Sequence, residues 1–344
     1  MKAETKRQRL TAVLVLLSTL VGIGACVPGQ EPPPPPSQRL DVVVNIFPLR
    51  WLADRIGGDL VTVRTIEAEP HEEGHGAADD PLSEPDRELI RRADANLFAG
   101  NMSADLRATL EQWRRADPNA RLYDISELNR LDLRPGPAEL ADDLVADRLD
   151  PHFWMDPQRM VVAADWVTTQ LFSAVTLDEA LKTNPDKYKT ELEKRHGDVV
   201  IELQELDHDL NAALPEECRG RWIVPEHPAF MYLAMRYGLQ QFAVSGLWSE
   251  DLPVQVRRQR EKDLAKLFQA DPRPAFFYTI DKDLSDEDRN QLSRLASEYG
   301  MTPGVLDSLE EEPAITGPDG KTITGYPDAM RANARNIARE FRCD

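Results

Sequence analysis

Residues 185–214 predict one long helix in the middle of this 344-residue chain. Its apolar residues recur at spacings of three and four positions, which is the period of an α-helix. They are Val200, Leu203, Leu206, Leu210 and Leu214. At 1.5 Å per residue, such a helix is about 45 Å long. A helix of this length acts as a stiff strut between two halves of a chain, so it predicts two lobes with a rigid connection.

On both sides of the long helix, short β-rich runs alternate with helical patterns. The strands are predicted at 41–47, 60–66, 95–100 and 121–125 in the first half, and at 220–225, 239–244, 273–280 and 301–307 in the second. This alternation is typical of parallel sheets that are covered by helices on both faces. The chain is therefore predicted to be an α/β protein with two similar lobes, each a small parallel sheet flanked by helices. They occupy 40–184 and 215–344, and the long helix at 185–214 joins them.

The first 26 residues have the order of a secretory signal peptide. A positively charged start is followed by an apolar run over 10–23 and by small residues before Cys26. The ending "IGAC" also suits a bacterial lipobox, so Cys26 is predicted to be lipidated; a signal peptide cut elsewhere is the alternative. Residues 27–39 include five consecutive prolines and predict a stiff spacer. The folded part is therefore expected outside the cytoplasm, held at a membrane by a lipid anchor.

Charge and cysteine content narrow the possible partners. The formal net charge is -19, which disfavours binding to nucleic acid and raises the local concentration of cations. Simple solubility explains the charge equally well. Cys218 and Cys343 are the other cysteines, and an oxidising compartment permits a disulfide between them. Two separate thiols remain the alternative.

The histidines outside the long helix lie in loops next to predicted strands and helices. His71 and His75 follow the second strand, His152 precedes a helix that starts near Pro157, and His227 follows the strand at 220–225. Asp307 ends the last strand. Ligands of open α/β sheets bind beyond the carboxyl ends of strands, so these loops are expected to meet in one cleft. Imidazole and carboxylate together suit zinc; a histidine that is merely hydrogen-bonded in its loop is the alternative for each position.

Several motifs resemble one known family over residues 40–341. They are "DPHFWMDPQ" at 150–158, "VPEHPAFMYLAMRYGLQ" at 224–240, "VLDSL" at 305–309 and "GYPDAMRANARNIA" at 325–338. The chain is similar to the zinc and manganese solute-binding lipoproteins of ABC importers, the ZnuA/TroA-like cluster A-I family. This resemblance implies a metal buried between two lobes and delivery of that metal to a membrane permease. It also implies His152, His227 and Asp307 as ligands.

One motif departs from the family pattern. The family usually reads "DPHxxEP" in its first metal loop, whereas residues 79–85 read "DDPLSEP" and place Pro81 where a histidine is expected. The preceding "PHEEGHG" supplies His71 and His75, and His75 is slightly favoured as the replacement because its flanking glycines allow the backbone to turn. Weaker substitutes follow: Glu72, Glu73 and Asp80. An acidic loop that only gathers cations is the alternative.

In the family that the chain resembles, a histidine at the third ligand position indicates zinc and a glutamate there indicates manganese. In this chain that residue is His227. The chain is thus expected to be a monomeric, extracytoplasmic zinc receptor and not an enzyme. The alternatives are a manganese receptor, a metal-free adhesin-like paralogue and a zinc-dependent hydrolase. The hydrolase is disfavoured because the sequence contains neither HExxH nor GxSxG.

Three further residues receive structural interpretations. Trp154 is interpreted as shielding the cleft, and Tyr232 as a core residue. Asp156 is interpreted as the N-terminal cap of the helix at Pro157, the alternative being a hydrogen bond to a metal-bound histidine.

Overall fold

The structure, a computed structural model, describes most of the chain from residue 39 onward. The described ranges are 39–66, 82–102, 104–117, 120–136, 149–244, 254–269, 271–280, 286–317 and 320–343. The predictions for the signal peptide, Cys26, the spacer up to residue 38, and the loop carrying His71, His75 and Pro81 lie outside these residues. Those predictions therefore stay predictions.

The first lobe contains a four-stranded parallel sheet. Its strands are β1 (Leu40–Val44), β2 (Val61–Thr65), β3 (Ala95–Phe98) and β4 (Leu122–Asp124), and its helices are α1 (Phe47–Gly57), α2 (Glu84–Arg92) and α3 (Ala104–Ala116). The strand order is β2-β1-β3-β4. Strand β1 is central and largely buried, as expected for a parallel strand with helices on both faces.

Two long helices follow the first sheet: α4 (Pro157–Leu177) and α5 (Pro185–Ala213). Helix α5 has 29 residues and confirms the predicted long connecting helix. Among the described helices, α4 is long and apolar enough to cross a membrane by length and composition alone. It packs against α1 and α5, and Met160, Ala163 and Val167 are fully buried. These contacts are those of a core helix.

The second lobe repeats the topology of the first. Its strands are β5 (Trp222–Pro225), β6 (Gln240–Gln241), β7 (Ala275–Ile280) and β8 (Gly304–Asp307), and its helices are α6 (Met231–Arg236), α7 (Val254–Leu267), α8 (Asp286–Glu298) and α9 (Tyr326–Phe341). The strand order is β6-β5-β7-β8, again parallel. The predicted α/β class with two similar lobes is confirmed.

A continuous apolar core runs through both lobes. It joins the inner faces of the two sheets to helices α1, α4, α5 and α9. A smaller cluster covers the outer face of each sheet. Because α5 buries Leu203, Leu206 and Leu210 in the shared core, the two lobes pack as parts of one body.

A disulfide bond joins Cys218 to Cys343 across 125 residues of sequence. Cys218 ends a short 3-10 turn directly before β5, and Cys343 follows α9. The bond ties the two ends of the second lobe together.

Candidate metal centre

His152 reaches the cleft between the lobes from a tight turn that precedes α4. The Asp150 carboxylate accepts hydrogen bonds from the backbone N–H of His152 at 2.8 Å and from its ring Nδ1 at 2.7 Å. Both residues are buried, with 4% and 5% of their surface exposed. Because Nδ1 donates to Asp150, Nε2 is the ring nitrogen that can bind a metal. This is the usual arrangement of a metal-binding histidine.

The interpretation of Asp156 as a helix cap is confirmed. Its side chain accepts the backbone N–H of Gln158 at 2.9 Å, and Pro157 occupies the first helical position. Helix α4 therefore starts at a defined point, with only Asp156 between it and the 3-10 turn Phe153–Met155. This start anchors the loop that carries His152.

His227 enters the cleft from the second lobe. It follows β5 by two residues, and its neighbour Glu226 is 1% exposed. The Glu226 carboxylate accepts the backbone N–H of Thr279 at 2.9 Å, which ties the end of β5 to β7. The side chain of His227 is 27% exposed, against 7% for His152, so solvent reaches the site from the His227 side.

Glu310 completes a group of three possible metal ligands with the two histidines. Its Oε1 lies 3.0 Å from Nε2 of His152 and 3.2 Å from Nε2 of His227, and the two Nε2 atoms are 3.1 Å apart. An ion in tetrahedral coordination at about 2.0–2.1 Å from its ligands requires spacings of about 3.3 Å between them. The three atoms therefore form nearly one face of a zinc tetrahedron.

Asp307 lies close to this group in sequence, but its carboxylate is used elsewhere. Oδ1 accepts the backbone N–H of Leu309 at 3.0 Å, while Oδ2 accepts those of Ala314 and Ile315 at 2.9 and 3.0 Å. The structure brings His152 and His227 together. The carboxylate oxygen beside them belongs to Glu310, whereas the carboxylate of Asp307 accepts backbone N–H groups of its own loop.

The neighbouring charges shift the pKa values of His152 and Glu310 in opposite directions. Burial alone would lower the pKa of His152, but the carboxylates of Asp150 and Glu310 outweigh burial and raise it to about 10. Burial would raise the pKa of Glu310, but the hydrogen bonds from His152 and His227 hold it well below its ordinary value. In the absence of metal, His152 is therefore protonated at pH 7, and its charge offsets one of the two carboxylate charges beside it.

Trp154 connects the loop of His152 to the loop of Glu310. It is fully buried, and its indole Nε1 donates to the carbonyl of Ser308 at 2.8 Å. Tyr326 at the start of α9 donates its hydroxyl to the carbonyl of Trp154 at 2.5 Å. The predicted shielding role fits this burial, and the hydrogen bonds add a bracing role.

Two more contacts hold the loops across the cleft. The backbone N–H of Phe47, at the start of α1, donates to the carbonyl of Glu310 at 2.9 Å. The hydroxyl of Tyr232 donates to the carbonyl of Asp150 at 3.0 Å and accepts the N–H of Arg134 at 2.9 Å. Each contact joins an element of one lobe to a loop that carries a residue of the group.

The family model for the periplasmic component A of zinc-uptake complexes, ZnuA, matches residues 42–340. The zinc-binding lipoprotein AdcA of Streptococcus pneumoniae is 25% identical over 87% of the chain, which spans only 55% of that relative. The high-affinity zinc uptake system protein ZnuA of Bacillus subtilis is 23% identical over 86% of the chain and 85% of its own length. The chain thus spans about half the length of AdcA and most of the length of ZnuA.

Solved structures show the same fold. A crystal structure of ZnuA has a TM-score of 0.60 at 21% identity and covers 88% of the chain and 99% of its own. The laminin-binding protein Lmb of Streptococcus agalactiae, described as having adhesin and metal-transporting activity, has a TM-score of 0.63 at 22% identity, with 88% and 100% covered. The curated relatives are named as zinc-binding or zinc-uptake proteins rather than enzymes. The match over residues 42–340 shows that this chain belongs to the family of the periplasmic component A of zinc-uptake complexes.

Proposed function

We propose that this protein captures zinc between its two lobes, outside the cytoplasm, and delivers it to an ABC permease. The observation that supports this function most directly is the triangle of His152, His227 and Glu310, whose ligand atoms lie 3.0–3.2 Å apart. The ligands come from separate lobes, so one ion links both. The acidic surface, with a net charge of -19, favours the approach of a cation.

The donor set supports zinc over manganese. Two imidazole nitrogens and one carboxylate oxygen suit a borderline ion, whereas manganese prefers oxygen ligands. The spacing within the triangle also fits the short bonds and tetrahedral angles of zinc. In this proposal Glu310 takes the ligand role that the sequence assigned to Asp307.

The fourth coordination position faces away from the plane of the three ligand atoms. We propose that His75, or His71 as the second choice, fills it, with water as the remaining possibility. The support is chemical: Pro81 has no donor atom, and each of the two histidines offers a third imidazole to the same ion.

Delivery to a permease and anchoring at a membrane are supported by the family and by the sequence. The matching family is named as the periplasmic component of a zinc-uptake complex, and AdcA is named a lipoprotein. Lipidation at Cys26, after the sequence "IGA", would hold the receptor near its permease.

Zinc titration of the full chain, after treatment with a chelator, tests the capture step. A competing zinc indicator measures affinity in the parent, in His152→Ala and in His196→Ala. His196 is the matched control, because it lies on the long helix α5, where its Nε2 is 2.9 Å from the carboxylate of Asp165 on α4. We expect one tight zinc site in the parent and in His196→Ala, and a loss of well over a hundredfold in His152→Ala.

Equal zinc affinity in the parent and His152→Ala would exclude the cleft as the zinc site. Manganese binding that is as tight as zinc binding would overturn the choice of metal. For delivery, deletion of the gene is expected to reduce growth in zinc-depleted medium, and the parent gene but not the His152→Ala gene should restore it. Normal growth of the deletion strain, in a background without a second zinc importer, would contradict a transport role.

A further inference from the structure

The loop from Asp307 to Ile315 is closed by a single carboxylate. Asp307 is 3% exposed, and its two oxygens accept three backbone N–H groups, from Leu309, Ala314 and Ile315. One bond closes a local turn over two residues, and the other two reach across the loop. Glu310 lies between these attachment points, so the carboxylate of Asp307 sets the path of the chain on both sides of it.

Leu309, the residue directly before Glu310, has an unusual backbone conformation. Its φ is +58°, in the left-handed region that non-glycine residues rarely adopt, and its side chain is completely buried. Such a conformation is unfavourable for a residue with a side chain and persists only where surrounding contacts impose it. The N–H of Leu309 donates to Asp307, so the same carboxylate holds the residue that turns the chain toward the histidines.

Asp307 is itself fixed from outside the loop. Asn333 of α9 accepts the backbone N–H of Asp307 at 2.9 Å and donates to its carbonyl at 2.8 Å. Asn333 has no exposed surface. The end of β8 is therefore pinned to a helix of the core, and the loop is built outward from a rigid point.

We propose that Asp307 is a positioning residue that acts through Glu310: it folds the 308–315 loop so that the Glu310 carboxylate meets His152 and His227. This role rests on the proposed zinc capture at that triangle. Asp307 contributes no ligand atom, and its effect on zinc depends on the presence of the Glu310 carboxylate.

A double-mutant cycle separates a positioning role from a ligand role. Zinc affinity of the full chain is measured for the parent, Asp307→Asn, Glu310→Gln and the double variant. Asparagine keeps the size of Asp307 but replaces one accepting oxygen by an NH₂ group, which cannot accept a backbone N–H. We expect Asp307→Asn to weaken zinc binding by about 10–100-fold in the parent, the usual effect of residues that orient ligands. In the Glu310→Gln background it should change affinity by less than about twofold.

Asp124→Asn is the matched control. Asp124 ends β4 of the first lobe and likewise accepts three hydrogen bonds, from the N–H of Gly100 and from the N–H and hydroxyl of Ser126. All three bonds fall on Oδ1, an acceptor that asparagine keeps, so this replacement removes a buried carboxylate charge in the first lobe and should leave zinc affinity unchanged. The visible spectrum of bound Co²⁺, which reports coordination geometry, should change in Asp307→Asn and stay as in the parent in Asp124→Asn.

Two outcomes overturn the proposal while zinc capture stands: parent-like affinity in Asp307→Asn, or an equal loss from Asp307→Asn with and without the Glu310 carboxylate. A parent chain that binds no zinc overturns the proposed function instead. Hydrogen exchange on the parent protein provides a test that needs no variant. The amides of Leu309, Ala314 and Ile315 should be protected from exchange. Exchange as fast as that of amides in an open loop would contradict the positioning role of Asp307.

Discussion

The two lobes have the same strand order but use it differently. In the first lobe, Asn45 after β1 exchanges two hydrogen bonds with the backbone of Ala99 after β3, at 3.2 and 2.9 Å. In the second lobe, Glu226 after β5 makes the corresponding link to Thr279 of β7. The next residue is the apolar, buried Ile46 in the first case and the accessible His227 in the second. We call the turn that follows each of these strands a corner. A difference at one equivalent position thus separates a corner with a buried apolar residue from a corner that presents a possible metal ligand.

The edge strands show the same contrast. Both β4 and β8 end in a buried aspartate that accepts three hydrogen bonds. Asp124 lies against Gly100, where any Cβ would collide with its carboxylate, and its partners are local. Asp307 instead closes a loop that presents Glu310. The topology provides corners at the carboxyl ends of strands in both lobes, and the side chains that follow decide which corner carries chemistry.

The largest expected effect comes from exchanging the two corners' essential side chains for alanine. His227→Ala should weaken zinc binding by well over a hundredfold, because in the proposed site it removes a ligand and not merely a supporting group. Asn45→Ala, at the equivalent corner of the first lobe, should cost about 1–3 kcal/mol of unfolding free energy with little effect on zinc affinity. Indicator competition and chemical denaturation measure the two quantities. A comparable loss of zinc affinity in both variants would show that the corner of the first lobe also contributes to zinc binding.

Removal of the disulfide should destabilise the second lobe selectively. The Cys218–Cys343 bond closes a loop with a sequence separation of 125 residues, for which about 2–4 kcal/mol of stabilisation is typical. In the double variant Cys218→Ser/Cys343→Ser, hydrogen exchange should accelerate in β5 and α9 more than in β1 and α4. Uniform acceleration throughout the chain would indicate that the shared core makes both lobes unfold together.

Zinc affinity should depend on pH over a wider range than an ordinary histidine allows. The pKa of His152 is raised to about 10, so zinc must displace a proton from Nε2 at any lower pH. Affinity should therefore fall by about tenfold per pH unit, or about a hundredfold from pH 8 to pH 6. Calorimetry in buffers of different ionisation enthalpy counts the released proton, and zinc binding without proton release at pH 7 would contradict this assignment.

The raised pKa of His152 also predicts how the stability of the metal-free protein depends on pH. This stability should fall as pH rises, whereas zinc affinity should increase. Because the folded-state pKa of His152 lies above its unfolded value of about 6.5, its contribution to stability is complete below pH 6.5 and is lost as pH rises toward 10. The stability of the metal-free chain should thus decline over this window, whereas that of His152→Ala should decline less. Denaturation at pH 7 and pH 9 measures the difference.

A smaller loss of zinc affinity is expected when the hydroxyl of Tyr232 is removed. This hydroxyl joins α6, the helix that follows His227, to the loop that carries His152. Tyr232→Phe removes the hydrogen bonds to Asp150 and Arg134 but keeps the buried ring, and should weaken zinc binding about three- to tenfold. Tyr237→Phe is the control, because its hydroxyl bonds Asp207 on the long helix at 3.0 Å. Equal zinc affinity in both variants would limit Tyr232 to the core role predicted for it.

Much of the fold was predictable because its signals are local. Apolar runs bounded by turn residues marked the eight strands in the part of the chain that the structure describes, and the apolar spacing of residues 185–214 marked α5. His152 and His227 were predictable for a related reason: each lies in a loop next to a strand end or helix start. Strand ends were less well predicted, since β1 stops at Val44 and the apolar residues after it belong to the corner and to α1.

The sequence alone determined the α/β lobes, the long helix and the two histidines, because periodicity and position in a loop are properties of neighbouring residues. Only the tertiary structure decided which acidic residue of the last loop meets them. Asp307 and Glu310 are three residues apart and chemically similar, and nothing in their spacing distinguishes them. The distinction arises from the left-handed turn at Leu309 and from the N–H groups of Ala314 and Ile315, which satisfy one carboxylate inside the protein and direct the other into the cleft.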